Sequence, residues 1–272
     1  MTQAKAISAR KVALLMLVLH IATAVFSLIG TWALYHLEKV PDWDYSLLAF
    51  WLGVGNIATG VLVSLVCMTS HEGWTSAVKL SVLSVIVAGG MELLGTITGI
   101  PFGRYEYTDL LGAKFLGHVP YIIPLSWMMM LYPAMILTDA IGIRGVWRPL
   151  TAGFVLTIWD VAMDPAVTTG FAYWQWQTEG GFYGMPYTNW VGWWMTGALL
   201  AGIYWKVDRA WRGKWDWIPV ALYLVQGGFM AGLAWVMMRP LASVLWLVLT
   251  AIVMLAVLKR RKQNAFSGEE RC

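Results

Sequence analysis

An all-helical, polytopic membrane bundle is the architecture this chain predicts. Three features carry that expectation. Of 272 residues, 59% are hydrophobic and only 12% charged, with a mean hydropathy of +0.63, whereas a soluble domain carries about 25% charged residues. The apolar residues fall into runs long enough to cross a bilayer. Lysine and arginine gather in alternate connecting segments, the pattern that orients such runs.

The runs lie near 12–35, 46–68, 77–100, 119–142, 147–170, 189–206, 217–237 and 240–258, which predicts eight transmembrane helices. The first follows Lys5, Arg10 and Lys11 and contains Ala22-Thr23-Ala24, as a cleavable signal would. Apolar residues continue past that point, so an uncleaved helix is expected. The last two runs are parted only by Arg239-Pro240. With the N-terminus inside, 15 Lys and Arg residues fall in cytoplasmic segments and four (Lys39, Arg104, Lys114, Arg239) in external ones. An even number of spans leaves both basic ends in the cytoplasm. The whole chain, 1–272, then forms one membrane domain, with a site-bearing part at about 85–200 and a basic tail at 259–272. The tail begins Lys259-Arg260-Arg261-Lys262, a stop signal and a contact for anionic lipid. The net charge of +4 is thereby spent on topology, and no nucleic-acid partner is expected.

Carboxylates at membrane depth are costly, and they are read as functional until a partner explains them. Trp159-Asp160-Val161-Ala162-Met163-Asp164-Pro165 places two acids four residues apart in the fifth run, on one helix face. Glu92 lies in the third run. The topology puts all three in the outer half, and Pro165 is expected to kink or open the helix at Asp164. Two external segments rich in Gly, Pro and Tyr leave these helices, 99–107 and 181–190. The acids and these segments thus converge on one side.

Other polar residues at depth are His20, Thr23, Asn56 and Gln226. Interhelical hydrogen bonding accounts for Thr23 and Gln226, and less clearly for Asn56. Gly95-Thr96-Ile97-Thr98-Gly99 reads as a close helix contact. Asp139 pairs with Arg144 or faces the interface. A faint repeat relates Gly117-His118-Val119-Pro120-Tyr121 to Gly184-Met185-Pro186-Tyr187. Cys67 and Cys272 have no disulfide or zinc spacing, and no nucleotide-binding loop or hydrolase motif is present. The 18 tryptophans exceed what interfacial belts require. About half serve belts and packing, and the rest read as walls for a large lipophilic ligand.

A carboxylic acid in hydrocarbon tends to hold its proton, and clustered acids reinforce this. Such a cluster offers a proton donor beside an ionised base, which suits addition of water to an isolated alkene. Protonation makes a tertiary carbocation, a carboxylate and aromatic faces stabilise it, and water captures it. The structural alternative is that Arg104 pairs with one of the acids and fastens helices together.

The site-bearing part resembles the membrane carotenoid 1',2'-hydratase family, the FAD-independent type that includes bisanhydrobacterioruberin hydratases. The residues that carry the likeness begin with Glu92-Leu93-Leu94-Gly95 and continue through Thr98-Gly99-Ile100-Pro101-Phe102-Gly103-Arg104-Tyr105-Glu106-Tyr107-Thr108 to Val119-Pro120 and Trp127. They resume with Asp160-Val161-Ala162-Met163-Asp164-Pro165 and Trp174-Gln175-Trp176. Tyr183-Gly184-Met185-Pro186, Asn189-Trp190 and Gly192-Trp193 complete them. The likeness implies a hydro-lyase of carotenoid biosynthesis. It would hydrate the terminal ψ-end double bond of an acyclic or monocyclic polyene, of the lycopene, γ-carotene or C50 type, to a tertiary alcohol. Neither a redox cofactor nor a metal is expected, and the partners are the polyene, the lipid bilayer and other enzymes of the same pathway.

On this reading Asp160 or Glu92 is the general acid and Asp164 the water-activating base. Arg104, Tyr105, Tyr107 and Asn189 position water or tune the acids, with Trp159, Trp127 and Asn56 as further positioning candidates. Interfacial anchoring explains Tyr105 and Tyr107 about as well. Three other activities share these features. A prenyltransferase would use Asp160 and Asp164 for Mg²⁺, a proton-coupled transporter would use Glu92 and Asp160 as relays, and a cyclase would protonate the same alkene without adding water.

Overall fold

The computed structural model describes residues 3–37 and 45–267. Lys39, Arg271 and Cys272, which entered the charge and cysteine readings, lie outside the described residues, as does the side chain of Lys5. Each apolar run is a helix. They are α1 (Gln3–His36), α2 (Tyr45–His71), α3 (Trp74–Thr98), α4 (Ile123–Ile141), α5 (Trp147–Gly170), α6 (Thr188–Val207), α7 (Trp217–Val236) and α8 (Pro240–Ser267). Six of them are long and apolar enough to cross a membrane. The other two, α4 and α6, carry more polar and aromatic residues. The protein is therefore a multi-pass membrane protein.

Helix α4 is the core. Every residue from Met128 to Leu131 is fully buried, as are Trp127 and Tyr132, so the helix is enclosed by its neighbours. The outer helices reverse the soluble pattern. Val18, Phe26 and Ile29 of α1 and Leu247, Ile252 and Leu255 of α8 are exposed, forming an apolar exterior suited to hydrocarbon. Helices α5 and α6 touch backbone to backbone, because a Cβ on Gly153 would meet Ala198 N at 2.6 Å. That contact sets Asn189, near the start of α6, beside Asp160 and Asp164 on α5.

Three expectations need correction. Helix α5 continues through Pro165 to Gly170 instead of opening at Asp164. Such prolines are tolerated in membrane helices. The Gly95–Gly99 pair is not a helix contact. A Cβ on Gly95 would meet the Phe102 ring at 2.6 Å, and Gly99 ends the helix in a left-handed conformation at φ 82°. The segments that follow α3 and α5 are also not plain loops. Strand β1 (Tyr105–Tyr107) pairs antiparallel with β4 (Trp174–Trp176), and a second short ribbon joins β2 (Lys114–Phe115) to β3 (Val119–Pro120).

The connecting segments segregate into two sets. At one end, β1 and β4 join the segment after α3 to the segment after α5. At the other, the residues after α6 fold onto the α2–α3 turn. Glu72 accepts from the amides of Arg212 at 2.6 Å and Gly213 at 3.2 Å. Arg148 grips Asp139 through two 2.7 Å bonds, Trp211 adds a third, and Arg144 lies 3.8 Å away. Asp139 is thus paired mainly with Arg148 rather than with Arg144.

Candidate active site

Alternation along β1 and β4 builds the site. Side chains two residues apart share a face of a strand, and the register sets Tyr105 opposite Trp176 and Tyr107 opposite Trp174. All four rings turn inward while Glu106 and Gln175 face out. The ring centres of Tyr105 and Trp176 are 5.2 Å apart, and those of Tyr107 and Trp174 are 5.8 Å apart. The ribbon so becomes a plate with four polar hydrogens on one side.

Those hydrogens are directed at two carboxylates. Tyr105 and Tyr107 donate to Glu92 Oε2 at 2.5 and 2.9 Å, and Trp127 Nε1 donates to Oε1 at 2.9 Å. Trp176 Nε1 donates to Asp164 Oδ1 at 2.9 Å, and Trp174 Nε1 to Oδ2 at 3.3 Å. Burial, then the Glu92 carboxylate, holds both phenols well above their ordinary pKa, so they remain O–H donors at neutral pH. Asn189 Nδ2 donates to Asp160 Oδ2 at 2.8 Å and lies 3.4 Å from Asp164 Oδ2, linking the two aspartates. Asp160 Oδ1 has no hydrogen-bond partner, and neither has the indole nitrogen of Trp159.

A cavity adjoins this plate. Glu92, Asp164, Asn189, Tyr105, Tyr107, Trp174 and Trp176 line its acidic side. Trp127, Trp159, Trp193 and Phe102 form an aromatic wall. Within it Trp127 and Trp193 stack at 4.0 Å, with Trp159 edge-on to Trp193 at 5.6 Å. Asn56, Ser27, Gln226 and Phe229 come from α2, α1 and α7. Phe102 is held in a slot between two glycines, Gly95 and Gly192. The lining is mostly apolar and aromatic, with the carboxylates, their donors and Ser27, Asn56, Ser126 and Gln226 as polar exceptions, which is the usual make-up of a pocket for a lipophilic ligand.

The structure brings together nine of the ten residues singled out from the sequence. Glu92, Asp164, Tyr105, Tyr107, Asn189, Trp159, Trp127 and Asn56 all line the cavity, and Asp160 lies directly behind, joined through Asn189. Arg104 is the exception. Its side chain is exposed and forms no salt bridge with any of the three acids, because strand alternation turns it away from its neighbour Tyr105. Its backbone instead ties the two segments, accepting from Gln177 N at 2.8 Å. The sequence reading gave Trp174, Trp176, Trp193 and Gln226 no role in the site. The spacing Tyr-Glu-Tyr and Trp-Gln-Trp carried a signal, since both alternate with period two, but their pairing is a long-range event.

This arrangement defines a multi-pass membrane protein with a buried acid cluster facing an aromatic cavity. The family described as carotenoid biosynthesis protein matches residues 52–256, and the chain belongs to that family. Bisanhydrobacterioruberin hydratase from Haloarcula japonica is 32% identical over 127 residues. That stretch covers 44% of this chain and 42% of the relative, so the chain spans less than half the length of the curated protein it matches. No solved structure matches this chain.

Proposed function

We propose that the protein is a carotenoid 1,2-hydratase, adding water across the terminal ψ-end double bond of an acyclic or monocyclic carotenoid. One observation carries this reading. Two carboxylates line a single aromatic cavity, each held by hydrogen-bond donors from the same two-stranded ribbon. The hydratase relative supports it.

Hydrogen-bond counting supports a division of roles. Asp160, with one donor and a bare Oδ1, stores the proton of the aspartate pair, since two adjoining carboxylates do not both ionise cheaply. Asp164 takes that proton from Asp160 and delivers it to the less substituted alkene carbon. The indoles of Trp174 and Trp176 and the Asn189 amide then stabilise the carboxylate left behind. The π pair forms the new C–H bond, and a tertiary cation develops on the neighbouring carbon. Glu92 and the faces of Trp127, Trp159 and Trp193 stabilise the cation. Water adds its lone pair to the cation, and the resulting oxonium loses its proton to Glu92. The three donors on Glu92 weaken it as a nucleophile, which disfavours capture of the cation as an ester. A proton returns from Glu92 to the aspartates to reset the site. This assignment exchanges the roles of Glu92 and Asp164 relative to the reading in which Asp164 is the base. Hydration is redox-neutral, so no step calls for a redox cofactor.

Eight spans, cytoplasmic termini and residence in the cell membrane complete the proposal, with the site opening toward the outer leaflet. The test is expression in a host that makes lycopene, with pigments separated by chromatography and mass. A gain of one water per modified end supports the hydratase. A gain of five carbons supports prenyl transfer, and an isomer of unchanged mass supports cyclisation. Asp164→Asn and Glu92→Gln remain folded in membranes and lower hydroxylated product at least about a hundredfold, the scale of lost general acid–base catalysis. Normal product from both variants overturns the assignment.

A further inference from the structure

A stiff polyene that reacts only at its terminal double bond enters the cavity end first, with the rest of the chain trailing outside. Among the described residues, all that line the cavity are buried except four, Leu52, Gly53 and Ile57 of α2 and Trp176 of β4. The wall therefore reaches the surface in two places, and these differ in what lies outside. Beside Trp176 the ribbon presents Glu106 and Gln175 outward, a charged and polar margin. On α2 the exposed side chains to either side of the opening are Trp51 and Leu62, both apolar and both within a membrane-length helix. A trailing polyene would meet water at the first place and acyl chains at the second, so the hydrophobic effect favours the second.

Two tight contacts bound the opening on α2. At Gly53 the helix closes against Tyr173 and Leu111, whose atoms an added Cβ would meet at 2.5 and 3.2 Å, and the Tyr173 hydroxyl donates to the Ala49 carbonyl at 2.8 Å. At Gly60 it closes against the side chain of Met129 on α4, and one turn on Ser64 Oγ donates to the Met129 carbonyl at 2.8 Å. Gly53 and Gly60 are seven residues apart, about 10 Å at 1.5 Å per residue. Between them Ile57 both lines the cavity and is part exposed, while a Cβ on Gly55 would meet nothing within 4 Å. Helix α2 packs on α1, α4 and the Trp74–Leu83 part of α3, and not on Ser84–Thr98. That leaves one flank of this stretch free of a neighbouring helix.

We infer that α2 between Gly53 and Gly60 frames a lateral portal through which the polyene enters from the bilayer, with Ile57 as its sill, an inference that rests on the hydratase reading. The reacting end passes Ile57 to reach Glu92 and Asp164, and the remainder of the chain stays among lipid tails. The whole molecule is then never taken out of the membrane. Ile57 acts on entry, ahead of both protonation and capture by water.

Initial rates of full-length protein in lipid vesicles holding lycopene, in D₂O, test the portal. Alcohol reports hydration, and deuterium bound to carbon, counted in alcohol and recovered polyene together, reports protonation. Ile57→Trp fills the opening, and both readouts fall together at least about tenfold per folded protein, the rate equivalent of overpacking strain met during entry. Ile57→Ala widens the opening and keeps both readouts within about twofold of wild type or above it. Leu62→Trp, on the same helix but outside the opening, also stays within about twofold. Full activity in Ile57→Trp overturns the inference. So does an equal loss in Ile57→Ala or Leu62→Trp, because the space at Ile57 would then not be what matters. A fall of alcohol with deuterium retained overturns it too, since the block would come after entry. Wild-type protein that makes no alcohol defeats the hydratase reading instead, a separate result.

Discussion

At the scale of single residues, the two indoles of β4 do for Asp164 what the two phenols of β1 do for Glu92. Trp176→Phe keeps the ring and removes one N–H from Asp164. The loss of a hydrogen bond to a charged group is about 1.5–3 kcal/mol, so product formation per folded protein falls about ten- to a hundredfold. Arg104→Ala, one residue from the phenol that holds Glu92, changes it less than about twofold, as substitutions at exposed positions do. Initial rates of both variants in the same vesicles check the contrast. A large loss in Arg104→Ala would return that side chain to the site. The acids themselves were legible without coordinates, because a carboxylate inside an apolar run has few structural excuses. The indole donors were not, because a tryptophan in a membrane protein has several common uses and its N–H direction depends on strand pairing.

At the scale of elements, the ribbon is aimed by a wedge. Phe102 lies between Gly95 of α3 and Gly192 of α6, where added Cβ atoms would approach its ring to 2.6 and 2.5 Å. Gly192→Ala therefore pushes the ring, and with it the chain leading into Tyr105. Overpacking of this kind costs about 1–3 kcal/mol, and the site moves as well. The expected outcome is a lower melting temperature in detergent together with a loss of activity, with Phe102→Leu in the same chain recovering part of both. An unchanged melting temperature would show that the slot is loose. The eight helices were readable from hydropathy because each run is bounded by Gly, Pro or charge. The strands were not, since three-residue segments acquire their identity only from a partner about seventy residues away, and Gly95-x-x-x-Gly99 names small residues without naming what fills the space.

At the scale of the whole molecule, the chain sets its buried acid cluster at one end and, among the described residues, most of its ion pairs at the other. Asp139 is nearly buried under Arg148, Trp211 and Arg144, so Asp139→Asn leaves a guanidinium without its anion, at a cost of up to about 3–5 kcal/mol for a buried pair. Denaturation in detergent is predicted to show that loss, while product per folded molecule stays near wild type. The proposed sidedness has its own measurement. In intact cells Glu106→Cys reacts with a membrane-impermeant maleimide and Arg209→Cys does so only after lysis. The reverse pattern would invert the topology.

Hydropathy and charge placement were enough to establish the class, the positions of the helices and the presence of three misplaced acids. These depend on transfer free energies that are nearly independent of neighbours. Which acids reach the cavity, which tryptophans feed them hydrogens, and that Arg104 turns outward followed only from the folded chain. Those outcomes depend on strand register and on side chains meeting across long sequence distances, and no local pattern specifies either.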